Sequence, residues 1–260
     1  MTAEAHLLRV AFADLCRPKR LVAVATVSMV PALLVLLVRV ARPASAMASV
    51  RYNFAATFLG FGFVLPILAA VFATGAIRDD MEQKRIPYVL TRPVARWRIL
   101  APKFVAAVFA AAAGVALCLA SCAVAAWGPA GLRAAPLALD LEIALVGAAV
   151  YSAFFLMLAA LVKRALLAGL LFAFGWESWV PNMPGSFQKL SLMTYLRVLA
   201  PHRLPEAESV DISQLLNALA PQTITPGTAW AAIGWVTALA LAVAFISFST
   251  REYLPQEDDS

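Results

Sequence analysis

The chain has 260 residues, 62% of them hydrophobic and 14% charged, with a net charge of +6. A soluble domain carries about 25% charged residues, so this composition excludes an ordinary water-soluble enzyme domain. Fifteen Phe and six Trp are also more apolar bulk than a small soluble core hides. The basic excess would suggest nucleic acid in a soluble protein; here its placement along the chain matters more than its sum. Three Cys in so apolar a chain give no disulfide framework.

The head, residues 1–20, reads as a cytosolic or interfacial amphipathic helix. Leu8, Ala11, Phe12 and Leu15 recur at helical spacing, and Pro18 ends the run. A transmembrane domain then fills 21–250. A span needs roughly 20 apolar residues to cross about 30 Å of hydrocarbon, and the pattern supplies six. The first is Leu21 to Val38, the second about Phe54 to Ile77, and the third Phe104 to Trp127. The fourth is Ile143 to Val162 and the sixth Ala229 to Phe248, none with an internal charge. The small residues Ala44-Ser45-Ala46 resemble a signal cleavage site, but the apolar run before them exceeds a signal core, so an uncleaved first span is expected.

The fifth span is short. Lys163 and Arg164 anchor its start, and the apolar run Ala165 to Trp176 stops at Glu177. That is about 18 Å of helix. The segment Trp176-Glu177-Ser178-Trp179-Val180-Pro181 must finish the crossing, or dip and return, and such broken backbone is tolerated only against protein or a wet cavity. Glu177 near hydrocarbon is a functional-site candidate. It could also brace the break, or sit in an aromatic belt with Trp176 and Trp179.

Between spans two and three, the inner loop 78–103 holds seven basic and three acidic residues. Asp79 and Asp80 suit a helix start, and Ile86, Val89 and Leu90 share one face before the Thr91-Arg92-Pro93 turn. A short helix with an apolar face rimmed by charge fits a groove on another protein. A charged linker fits the pattern equally. The outer segment 177–228 is proline-rich, with Leu190 to Leu199 and Val210 to Leu219 as short helices. The tail, 251–260, is acidic. Fourteen Lys and Arg fall on one side and seven on the other, which places both termini in the cytoplasm.

Catalytic patterns are missing. No Gly-rich phosphate loop is followed by Lys and Ser or Thr, no His-Glu-x-x-His pair could hold zinc, and the spans show no acid–base pair. Cys118 and Cys122 share a helical face and read as small packing residues; no metal is expected.

The run Arg78-Asp79-Asp80-Met81-Glu82, then Ile86 to Val94, then Arg96-Trp97 and Lys103-Phe104, resembles the permease subunit of type-2 ABC exporters. So does Trp176-Glu177 followed by Pro181, Pro184-Gly185, Leu190-Ser191 and Tyr195-Leu196-Arg197. Lys84-Arg85 stands where that family often has Gly-Thr, and Pro102 where it often has Gly. The resemblance implies an all-α, polytopic fold of six transmembrane helices with a cytosolic coupling helix in the loop 78–103. It implies a second permease chain, identical or a paralogue, and a separate cytosolic ABC ATPase dimer carrying ATP and Mg, with no cofactor bound by this chain. In that reading Asp80, Glu82, Ile86, Val89, Leu90 and Arg92 form the ATPase contact. Trp176, Glu177 and Pro181 form an outer gate or re-entrant turn, and the chain sits in the inner membrane as a nonenzymatic subunit with no nucleic-acid partner. A secondary transporter or channel, and a membrane assembly scaffold, are the competing readings.

Overall fold

In lipid, a backbone without water must satisfy its own N–H and C=O groups, and a helix does this within one segment. A computed structural model, which describes residues 18–41, 47–82, 97–133, 135–162, 164–183, 185–200, 202 and 224–250, follows that rule. The described residues contain helices and turns but no strand.

Helix α1 is Pro18–Ala41. The next crossing is composite: α2, Ala48–Phe54, runs through a π-helical stretch, Ala55–Val64, into α3, Leu65–Glu82. Helix α4 is Trp97–Trp127 and leads through a 3-10 turn, Pro129–Arg133, to α5, Ala135–Leu161. Helix α6, Ala165–Leu171, continues through a π turn, Phe172–Trp176, into the short α7, Glu177–Trp179, and a 3-10 turn, Val180–Asn182. A second 3-10 segment, Gly185–Leu190, precedes α8, Leu192–Leu199, and the last helix, α9, is Pro226–Thr250.

Five of these helical stretches are long and apolar enough to cross a membrane, and a shorter sixth is Ala165–Trp179. The chain is therefore an all-α, polytopic membrane protein. The second and fourth spans are each 61% buried in the protein, the first and last only 22% and 28%. The former pair is the core, and the outer helices turn most of their apolar surface outward. Helix α3 packs on α4 and α5, α1 on α4, and α9 on α5. We call the end of the bundle carrying Trp127 the cap end and the end carrying Lys103 and Arg164 the basal end.

With no hydrophobic drive between helices in lipid, close packing and polar contacts hold them together. A Cβ on Gly114 of α4 would collide with Leu68 and stand 3.0 Å from Val24, so its absence lets α1 and α3 approach. Beside it Ser28 Oγ donates to the Gly114 carbonyl at 2.9 Å. Arg39 donates to the Ala125 carbonyl at 3.0 Å, Ser247 Oγ to Ala160 at 3.2 Å, and Lys103 Nζ to Ala76 at 2.8 Å.

Several boundaries differ from the sequence reading. Helix α5 begins ahead of Ile143 and brings Asp140 and Glu142 into the helix. Asp79 and Asp80 lie in the last turn of α3 rather than opening a new helix, because the second span simply continues past its apolar stretch. Leu190 to Leu199 is helical from Leu192, while Val210 to Leu219, the head helix before Pro18 and the acidic tail lie outside the described residues.

Candidate functional site

The fifth crossing is made in two pieces. Helix α6 leaves the basal end, and Glu177 lies about 18 Å along it from Ala165. Pro181 has no N–H to continue an α-helix and sits in the 3-10 turn that ends this piece. The chain doubles back through Gly185–Leu190, and α8 then completes the crossing toward the cap end. Helix α8 packs on α9, α5 and the π stretch of the second span. Gly147 of α5 makes room for it: a Cβ there would stand 3.0 Å from Leu196 and 2.7 Å from Leu65.

Glu177 holds the two pieces together. It is 2% exposed. Its Oε2 accepts from Ser191 Oγ at 2.5 Å and from the Met193 N–H at 3.2 Å, and its Oε1 accepts from the Leu192 N–H at 3.0 Å. The first N–H groups of a helix have no partner within it, and the helix dipole favours negative charge there. The carboxylate of α7 thus caps α8. The fully buried Tyr151 of α5 sets its hydroxyl beside the same carboxylate, and the Arg197 cation lies within its field. Arg197 also stands over the Phe58 ring at 5.1 Å. A residue so completely engaged is a structural brace.

Around the break, Trp176 Nε1 donates to the Leu190 carbonyl at 3.3 Å, and Tyr195 Oη to Lys189 at 2.7 Å. Trp176, Trp179, Met183, Phe187 and Leu190 line an apolar cavity of about 390 Å³. Trp176 and Trp179 are exposed, whereas Pro181 is buried. The structure therefore brings Trp176, Glu177 and Pro181 into one turn, with Glu177 facing the protein and the indoles facing outward.

A second polar cluster lies at the cap end, and the sequence reading did not find it. Asp140 is 1% exposed and Tyr52 fully buried. Tyr52 Oη donates to Asp140 Oδ2 at 2.6 Å, and His202 Nε2 lies 3.0 Å from Asp140 Oδ1. The Tyr52 ring packs on Trp127 at 4.9 Å and meets His202 edge-on at 6.1 Å. These residues lie just outside the runs read as spans, Tyr52 before Phe54, Asp140 before Ile143 and His202 beyond the fifth crossing, so a search inside the spans did not reach them. The available signal was spacing. Asp140 falls between Leu137 and Ala144 on the face that continues through Tyr151 and Phe155, all of them buried.

The residues read as an ATPase contact are not brought into view. Asp80 and Glu82 belong to α3, and Ile86, Val89, Leu90 and Arg92 lie outside the described residues. Lys103, from the same motif, tethers α4 to α3 through Ala76. Cys118 and Cys122 are free and buried in α4. Among the described residues, no cluster of three or more His, Cys, Asp or Glu could hold a metal ion.

Comparison with curated proteins finds no match. A family model does match: the one described as ABC-2 family transporter protein aligns with residues 18–253, from the start of α1 to just past α9. A match over nearly the whole length, on a polytopic helical bundle, decides the assignment: the chain belongs to the ABC-2 transporter family.

Proposed function

We propose that this permease subunit is driven by ATP hydrolysed on a separate cytosolic ATPase dimer and exports its substrate across the inner membrane. The observation that carries the proposal is the family match over residues 18–253. In this reading both termini and the loop 78–103 face the cytoplasm, and a second permease chain, identical or a paralogue, completes the path. ATP and Mg bind on the ATPase. Asp80, Glu82, Ile86, Val89, Leu90 and Arg92 transmit its closure, the apolar three filling a groove and the charged residues setting its register. Trp176, Glu177 and Pro181 shape the outer side of the path, with Glu177 acting as the brace of that turn.

The test is co-purification. A cytosolic ATPase should accompany the chain from its native membrane, and Val89→Asp with Leu90→Asp should release it, because each buries a charge in the proposed groove. Retention of the ATPase by that double variant would overturn the contact. A chain that transports normally with no ATPase would overturn the ATP-driven mechanism itself.

The buried Glu177 and Asp140 favour one other reading, a secondary transporter, since intramembrane acids often mark ion pathways. Donors within the chain engage both carboxylates, which weighs against that reading. Flux that follows a proton gradient and ignores vanadate would support it.

A further inference from the structure

We infer that Asp140, with Tyr52 and His202, forms a latch that holds the cap end of the bundle closed, and that this latch releases when the mouth opens. The inference extends the reading of the chain as a permease.

The three residues come from segments far apart in the sequence: Tyr52 from α2, Asp140 from the start of α5, and His202 from just beyond α8. Among the described residues, Asp140 is the side chain that Tyr52 of α2 and His202 beyond α8 both reach. Helix α2 is one short piece ahead of the π stretch, and α8 is only eight residues long. The carboxylate makes a two-sided joint. One oxygen takes the Tyr52 hydroxyl at 2.6 Å and the other faces His202 Nε2 at 3.0 Å. Trp127 of α4 backs Tyr52 at 4.9 Å, so four segments converge on the joint. Leaving a buried carboxylate without such partners is costly. Separating the segments would strip the donors away, so the latch favours the closed arrangement and resists a partial opening.

Beneath the joint lie two native reporters. Cys118 and Cys122 of α4 lie close enough to Tyr52 to act on it electrostatically and are fully buried. They sit about 14 and 8 Å below Trp127 along the helix. With both thiols this deeply buried, the latch should let a polar reagent reach them only slowly from the cap end.

The experiment uses the full chain in sealed vesicles, in a Cys16→Ser background, with a small quaternary-ammonium methanethiosulfonate added to one face at a time. Arg133→Cys and Arg164→Cys, each at an exposed position in its own control variant, report which face is which. With the latch intact, Cys118 and Cys122 react slowly from either face. Tyr52→Phe removes a single oxygen, and His202→Leu removes the nitrogen donor. Each should raise labelling from the cap face by about tenfold, the change that follows from losing one buried polar contact, and leave labelling from the basal face unchanged. His202→Gln, which keeps an N–H donor, should stay slow. Asp140→Asn should label fastest; should it fail to fold, Tyr52→Phe and His202→Leu still decide the matter.

Fast labelling of the unaltered pair, no rise in Tyr52→Phe and His202→Leu, or an equal rise from both faces would each overturn the latch. Equal labelling of His202→Gln and His202→Leu would do the same. The assay needs neither ATP nor a partner chain. A failed latch therefore leaves the ATP-driven reading standing, and loss of the ATPase in co-purification leaves the latch standing.

Discussion

At the scale of single residues, the buried carboxylates of Glu177 and Asp140 each sit at a joint between segments. Glu177 accepts one hydroxyl and two backbone N–H groups across the break in the fifth crossing. Glu177→Ala would strand all three donors in a buried site. We expect it to lower the stability of the folded chain by about 3 kcal/mol, read as a drop in the midpoint of thermal unfolding in nanodiscs. Glu177→Gln keeps an acceptor oxygen and should cost less than half as much. An alanine variant as stable as the unaltered chain would show that water enters and replaces the carboxylate. Glu177 was legible in the sequence because an acid that cuts an apolar run short stands out against its neighbours. Asp140 was not, because an acid just ahead of such a run looks like a residue at the membrane surface. The Tyr52 hydroxyl and His202, brought in beyond α8, show it to be buried and paired.

At the scale of elements, the long spans were legible because lipid allows so few solutions. An uncharged run of span length becomes a helix, and Leu21 to Val38, Phe104 to Trp127 and Ala229 to Phe248 all lie inside observed helices. Their ends were less legible. A helix does not stop where hydrophobicity stops, so α5 begins before Ile143 and α3 carries Asp79 and Asp80. The π stretches Ala55–Val64 and Phe172–Trp176 left no mark that hydropathy could register. Small residues at helix contacts explain the closest approaches. Gly114→Leu should force α1 away from α4, at a cost of roughly 1–3 kcal/mol for overpacking. We expect amide exchange in α1 to rise by about tenfold, the loss of one buried contact, while α5 keeps its protection. Uniform exchange across both helices would instead indicate general unfolding.

At the scale of the whole molecule, the alternation of long helices fixes which loops share a face. The turn at Arg133 and the turn at Arg164 lie at opposite ends of α5. A cysteine at position 133 should therefore react with an impermeant maleimide only from outside the cell, and one at position 164 only from within, given the charge bias of fourteen against seven. Reversed labelling would invert the proposed orientation and place the loop 78–103 beyond the reach of any cytosolic ATPase.

The join at Glu177 also has a mechanical meaning. A crossing built as one helix moves as a rod, whereas one cut in two would ordinarily lose thrust at the gap. Here the lower piece ends in a side chain that grips the upper piece by its leading backbone amides, so a push along the axis of α6 would have a polar link through which to reach α8. If the proposed ATP-driven cycle pushes on the basal end, the fifth crossing would behave as a jointed strut, its two pieces linked by the Glu177 carboxylate.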